Sequence, residues 1–509
     1  MELDKNVFEP HLGPGRNPWR VRPGLILSGA GQCVESMYAM TLALEDMQKP
    51  ALIALYESLH ETGYLPNPSV MEAAHLFPGA VLQIGLQLPL FNTPGLWALA
   101  NGEADGHIAC MAARYASLPC PVLLRLGYEF DGTEWNGYDP AAYIAAYRRI
   151  AKGLEQAQNV ALVWDSYTTD TPDVMDWYPG DDVVDWFGYN TMSPKFDCAR
   201  MRALANEHGK PLLNGEASYS KDAADWTFSR WMEDFFASMR ANGVQAFQYI
   251  NWRWQVYPRN ANWYDWQDGR ITENASRMAI YRKAMNGPDL VVRGESYGQP
   301  LRLVIDCARA MEEGAPNTPW HKDADLFTCQ EGYSLHPEGA EAVYGNGWLG
   351  GWTGRDITLH VFTPDDFAGA LLLKPLSAGP VHFAINGHSV RWQPGDGYIR
   401  FHNLPSGRVQ VRLSGMEDKP VMLDLIAILA YAPDVKAVTG LVLQGDTLCW
   451  DAVDGDVSYS VYADGALVQR TCACSFALSR QAKQLAVSVF DHHRGEGRPT
   501  MLYAEDAHE

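Results

Sequence analysis

The chain has no run of about 20 apolar residues, the length a helix needs to cross a bilayer, so no membrane-spanning helix is expected anywhere in its 509 residues. Its opening, MELDKNVFEPHLGPGRNPW, is polar and rich in Pro and Gly and lacks the apolar core of a signal peptide. It is read as cytoplasmic as given, or as secreted or periplasmic with the signal trimmed. Basic residues are scarce, 40 against 61 acidic ones, for a net charge of −21. A nucleic-acid partner is therefore not expected, because phosphate backbones are held by basic surfaces. Cysteines are few and irregular: Cys33, Cys110, Cys120, Cys198, Cys307, Cys329, Cys449, Cys472 and Cys474. Their odd number and spacing give neither a disulfide framework nor a paired Cys-x-x-Cys zinc pattern. There is no phosphate-binding P-loop and no G-x-S-x-G elbow. Glu57, His60 and Glu61, in YESLHET, lack the His-Glu-x-x-His spacing of a zinc helix and are read as sugar contacts or loop structure. No metal and no cofactor is expected.

What the chain has in surplus is tryptophan, 17 in all, of which 12 precede residue 290. Up to about residue 288 short apolar runs alternate with amphipathic stretches. Strands are expected at 24–30, 50–56, 80–88, 121–130, 160–167, 183–190, 210–217 and 244–252. Helices are expected between them, for example over 140–157, opened by the Asp139-Pro140 cap, and over 226–242, stopped by Asn242-Gly243. Eight strands alternating with helices in about 260 residues is the arithmetic of an α/β (β/α)8 TIM barrel. From 289 the helical period fades. Runs such as ITLHVFT and RVQVRLS, separated by Gly, Pro and Asp turns, predict a β-sandwich over 289–433. A second β-sandwich is expected over 434–509. There Trp450, the Tyr459 to Tyr462 strand and the Asp464-Gly465 turn resemble a fibronectin type III module.

Barrel active sites sit at the C-terminal ends of the strands. Two glutamates fall there: Glu129 in LLRLGYEFDG, at the end of the fourth strand, and Glu216 in KPLLNGEAS, at the end of the seventh. Period-2 alternation predicts Arg125, Gly127 and Glu129 on one face, with Arg125 deeper and Glu129 at the mouth. Two carboxyls at a barrel mouth are what glycosidic cleavage requires. One protonates the leaving oxygen, and the other attacks the anomeric carbon or activates water.

At these residues the chain resembles glycoside hydrolase clan A, whose hallmark is a glutamate on strands four and seven. Within the clan it is most similar to family 26, the β-mannanase group, as a divergent member. Arg125, Glu129, Asp131 and Gly132 match that family's Arg-x-x-His-Glu-x-Asn/Asp-Gly in register, and Trp135 follows as the family's Trp does. YPGDDVVDWFGYN, Tyr178 to Asn190, and NVALVWDSY before it are also similar. The residue before Glu129 is Tyr128 where the family has His. The resemblance spans about residues 80 to 285. It implies a retaining glycoside hydrolase with Glu129 as acid/base and Glu216 as nucleophile, their carboxyls about 5–5.5 Å apart. Tyr189 resembles the clan residue that hydrogen-bonds the nucleophile. Trp252, in YINWRW, sits where the clan places a Trp beneath the sugar.

Sugars present flat C–H faces to aromatic rings and hydroxyls to polar side chains. With what the resemblance implies for Tyr128, Tyr189 and Trp252, the expected substrate contacts are Arg125, Tyr128, Asp131, Trp135, Asp165, Tyr167, Tyr189, Asn190 and Trp252. Trp263 and Trp266 are read as a wall of an extended groove or as packing. Trp348 and Trp352 resemble the exposed aromatics of carbohydrate-binding modules, with an interdomain contact as the alternative. The leading expectation is a retaining hydrolase of β-linked polysaccharide or oligosaccharide. The acidic surface favours neutral glycans over sulfated or uronic ones. The alternatives are a catalytically inactive glycan-binding barrel and a transglycosylase using the same covalent intermediate.

Overall fold

Where the sequence alternates runs such as VLQIGLQ and VALVWDS with amphipathic stretches, the computed structural model has eight parallel strands. They are β1 (Ile26–Gly31), β2 (Leu52–His60), β3 (Val81–Gln87), β4 (Val122–Leu126), β5 (Val160–Ser166), β6 (Trp186–Met192), β7 (Leu212–Ser218) and β8 (Val244–Tyr249). Each pairs with the next, and β8 pairs with β1, which pairs with β2, so the sheet closes into a barrel. The structure describes residues 4–10, 19–44, 49–167, 174–192, 198–219, 225–252, 268–272, 274–293, 300–307, 327–343, 351–385, 388–455, 457–479 and 481–503.

Helices follow the strands: α1 (Val34–Ala43), α2 (Pro68–Leu76), α3 (Thr93–Asn101), α4 (Asp105–Ala116), α5 (Pro140–Gly153), α6 (Ala199–Glu207), α7 (Asp225–Ala241) and α8 (Ala275–Met285). The sequence signals act as expected. Asp139 accepts from the Ala142 amide at the start of α5, with Pro140 in the first turn. Beyond α7, Gly243 takes a φ of 63°, as a helix stop does.

The chain divides into two compact units, 1–74 with 79–295 and 75–78 with 296–509. In the first, strand Leu290–Arg293 lies alongside β1, so barrel pairing runs past residue 288. The barrel interior is graded. Its N-terminal end is apolar, with Leu27, Leu52, Val81, Leu123, Ala161, Trp186, Leu213 and Ala246 packed on Trp19 and Val21. Above them lies a polar layer, in which Gln83 donates to the Gly215 carbonyl at 2.7 Å and Gln248 to the Gly31 carbonyl at 2.9 Å. Above that, at the mouth, lie the charged groups Arg125, Asp165 and Glu216.

The second unit is built of antiparallel sheets. In one, Val421–Ala430 pairs with Leu301–Asp306, Gly351–Gly354 and Gly369–Pro375. In another, Asp356–Thr363 and Gly407–Gly415 pair along their lengths. The alternating burial of Gly407–Gly415 marks one face on the core and one in water. Trp352 is fully buried in that core with Leu371, Phe383 and Ile426. This overturns its reading as an exposed sugar-binding aromatic: the glycine-rich context belongs to a strand whose indole is needed as core volume. Trp348 lies outside the described residues. Further on, Val457–Ala463, Ala466–Thr471 and Gln484–Asp491 form a sheet over a core that includes Trp450 and Tyr459. The Asp464-Gly465 turn joins the first two of these strands, with φ of 50° and 79°.

Candidate active site

Glu216 reaches the mouth because β7 carries one extra residue. Tyr189 pairs with Asn214 but Asn190 pairs with Glu216, so Gly215 is bulged out of register. A β-bulge resets side-chain parity. Asn214 points out of the barrel to Thr191 Oγ1, at 3.0 Å, while Gly215 and Glu216 face inward. Only glycine fits at the bulge. A Cβ there would lie 2.7 Å from Arg125 Nε, 2.7 Å from Asp165 Oδ1 and 2.9 Å from Asn190 Oδ1.

Glu129 arrives differently from the expectation. Strand β4 ends at Leu126. Gly127 turns left-handed at a φ of 59°, and a Cβ on it would meet Tyr143 and Leu88 rather than the barrel interior. Glu129 then takes a φ of 54° and swings back to the mouth. Arg125 and Glu129 do converge, but through two left-handed residues and not through strand alternation. Asn136 holds this kink, donating to the Glu129 and Tyr128 carbonyls at 2.6 and 3.1 Å.

Arg125, fully buried, organises the charges. It donates to Asp165 Oδ2 from Nε (3.0 Å) and Nη2 (2.6 Å), to Glu216 Oε1 from Nη1 (2.7 Å), and to Asn190 Oδ1 at 3.2 Å. The Tyr56 hydroxyl, from β2, donates to the same Glu216 Oε1 at 2.9 Å. On the other side, Glu129 Oε1 accepts from Asn190 Nδ2 at 2.8 Å and Oε2 accepts from the Trp135 indole at 2.9 Å. Loss of hydration, and then the charge of Glu216, push the Glu129 carboxyl up to about 8. Burial raises Asp165 to about 6, against the pull of Arg125. Burial first, and then Glu216, hold the Tyr56 hydroxyl well above its ordinary range, so it remains a proton donor.

Most expected contacts converge here. Tyr128 packs edge-on to Tyr56, with its ring 5.0 Å from the Arg125 guanidinium. Trp135 meets Tyr167 edge-on at 4.3 Å beside Glu129. Asp131 is buried and accepts from the Ser166 hydroxyl and the Tyr167 amide, both at 2.7 Å, tying the β4 loop to β5. Trp252 is 5% exposed and packs with Ile250, Cys33 and Met192. Tyr189 does not join the site. It is buried on the opposite face of β6 from Asn190, its hydroxyl against Cys198 and Asn214, and Tyr56 makes the bond to Glu216 expected of it. Glu57 is likewise structural, accepting from the Tyr64 and Tyr115 hydroxyls at 2.5 and 2.6 Å and lying 3.5 Å from Arg114. Glu61 accepts from Asn92 at 3.0 Å. Arg253, Trp254, Trp263 and Trp266 lie outside the described residues.

This is the setting of a segment with known relatives. Residues 99–207 match the family model of glycosyl hydrolase family 26. The matched segment carries Glu129, Asp165 and Asn190. Over 242 residues the chain is 30% identical to the β-1,3-xylanase TXYA of a Vibrio species, covering 40% of this chain and 51% of that protein. Over 277 residues it is 29% identical to a β-1,3-xylanase of an Alcaligenes species, covering 47% and 57%. The chain thus spans about half the length of these curated relatives. A solved structure, the Bacillus subtilis mannanase BCman, aligns with a TM-score of 0.41 at 16% identity, covering 54% of this chain and 89% of that one.

Proposed function

We propose that the chain is a retaining glycoside hydrolase that cleaves β-glycosidic bonds in a polysaccharide or oligosaccharide, with Glu129 as acid/base and Glu216 as nucleophile. The observation that carries this is the unequal environment of the two carboxyls. Glu216 accepts from the Arg125 guanidinium and the Tyr56 hydroxyl on Oε1, while no described residue bonds Oε2. Glu129 is held protonated near neutrality. Opposed environments support opposed roles.

In the first step Glu216 Oε2 attacks the anomeric carbon. The bond to the leaving oxygen breaks, and that oxygen takes the Glu129 proton. Esterified Glu216 carries no charge, so one cause of the raised Glu129 pKa is gone and Glu129 becomes the base. It then takes a proton from water, which attacks the anomeric carbon and releases Glu216. The relatives' names make β-1,3-xylan the first polymer to try, with β-mannan next from the family resemblance. The resemblance of 434–509 to a fibronectin type III module, after a sandwich over 289–433, fits a catalytic barrel with appended modules.

Glu216→Ala should abolish turnover with the fold intact, and azide should restore part of the rate with an inverted product. Near-normal activity of this variant would refute the nucleophile. Glu129→Ala should slow substrates with poor leaving groups far more than activated aryl glycosides; equal loss on both would refute the acid.

A further inference from the structure

In the barrel unit two described non-glycine residues have positive φ: Glu129 at 54° and Phe91 at 49°. A bulky side chain is a poor occupant of that region. Phe91 lies in the loop from β3 to α3, and 65% of its surface is exposed. An apolar ring left in water on strained backbone is doubly unfavourable, unless its surroundings fix it there for a purpose.

The surroundings do fix it. The Phe91 amide donates to the Asn136 carbonyl at 2.9 Å. The next residue, Asn92, caps α3 by accepting from the Gly95 amide and donates to Glu61. Under the ring lies Gly137, at a φ of 60°, where a Cβ would stand 2.3 Å from Phe91 Cδ1. The turn Trp135–Gly137 therefore holds both left-handed residues. Trp135 and Asn136 grip the side chain and carbonyl of Glu129, while Asn136 and Gly137 seat Phe91.

We propose that Phe91 is a stacking platform for a pyranose ring of the glycan chain, removed from the bond being cut, and that this turn registers it against the acid/base. The inference rests on the glycan-cleaving reading above. The occupant is set by shape and chemistry: a rigid, exposed phenyl face with one rotatable side chain matches the flat C–H face of a sugar and loses little conformational freedom on binding.

The test uses the full chain as Phe91→Gly, which removes the ring and also relieves the backbone, and as Phe91→Tyr. Each is made alone and with Glu216→Gln. Retention of the Glu216→Gln proteins is measured in gels cast with β-1,3-xylan, β-1,4-xylan or β-mannan, and KM, kcat and the pH profile are measured on the polymer that is cut. Phe91→Gly is expected to weaken retention and raise KM about three- to tenfold, the size of one stacked ring. The alkaline limb should not move, thermal stability should not fall, and Phe91→Tyr should restore binding. Unchanged retention overturns the platform. So does a moved alkaline limb, because Phe91 would then only prop Glu129. Retention that depends on Phe91 without any cleavage would sink the hydrolase reading and leave the platform standing. No retention in any gel overturns the platform as well.

Discussion

The two units use the same expensive features differently. In the barrel, positive φ on described non-glycine residues falls on Glu129 and Phe91, and one cluster of buried charge lies where the strands end: Arg125 with Asp165 and Glu216, and Glu129 beyond. In the second unit, positive φ falls on Asn403, Glu417, Asp418 and Asp464, polar residues of which Asn and Asp tolerate the left-handed region best. One of its buried charge clusters pairs within itself. Arg400 lies 4.0 Å from Glu496, which accepts from the Tyr462 hydroxyl at 2.6 Å and from Ser488. Strain and buried charge are thus no signature of a site by themselves. The distinction is whether they leave chemistry unsatisfied at an opening.

The largest expected effect tests that distinction directly. Arg125→Met leaves Asp165 and Glu216 buried without their cation, at a cost of about 3–5 kcal/mol. By removing the donor that holds Glu216 Oε1 it should also reduce kcat/KM at least about a hundredfold. Arg400→Met should destabilise comparably in denaturant but leave kcat/KM of the folded protein unchanged. Equal loss of activity in both variants would break the comparison.

The eight strands were legible because each is a short apolar run between turn or helix signals, and burial inside a closed sheet demands that pattern. Glu129 and Glu216 were legible by position. The geometry that delivers them was not. A bulge at Gly215 and the left-handed turns at Gly127 and Glu129 leave no periodic trace. Tyr189 and Asn190 are strand neighbours and cannot both face the mouth, so alternation alone could have excluded one of them; only the Asn190↔Glu216 pairing says which. Tyr56 was missed because a tyrosine in LIALYES reads as core, and its partner lies 160 residues away.

A smaller effect separates the units by the sign of their pH dependence. Glu129 rises from 4.5 to about 8 and Asp165 from 3.8 to about 6 on folding. The folded barrel therefore holds protons that the unfolded chain has lost, and stability falls as pH rises through these windows. His402 goes the other way. Burial, and then Arg400, lower it from 6.5 to about 3. The unfolded chain binds that proton first, so stability rises with pH up to about 6.5. Glu129→Gln should flatten the decline in melting temperature between pH 6 and 8, and His402→Gln the rise below pH 6. A slope unchanged in either variant refutes that assignment.

Activity should report the same carboxyl. The limb on which kcat/KM falls should lie near pH 8, where free Glu129 loses its proton. The Asn190 amide stabilises the ionised form of Glu129. Asn190→Ala should therefore move that limb to higher pH, while a move to lower pH would mean that Asn190 acts mainly through Arg125.

The smallest effect isolates strain from function. Glu417 has a φ of 56°, and its ion pair to Arg391 is 3.9 Å long between side chains that are 67% and 50% exposed. Such a pair contributes at most about 1 kcal/mol. Glu417→Gly removes a left-handed penalty of about 1–2 kcal/mol and adds about 0.4–1 kcal/mol of unfolded-state entropy. The net change in stability should be slight, and activity should be untouched. Glu129→Gly relieves the same kind of backbone strain and should abolish acid catalysis; Phe91→Gly relieves it and should weaken glycan binding. If Glu417→Gly impaired turnover as Glu129→Gly does, positive φ would matter for the chain as a whole. If only the barrel variants lose function, the strain at the mouth is tied to the side chains it aims.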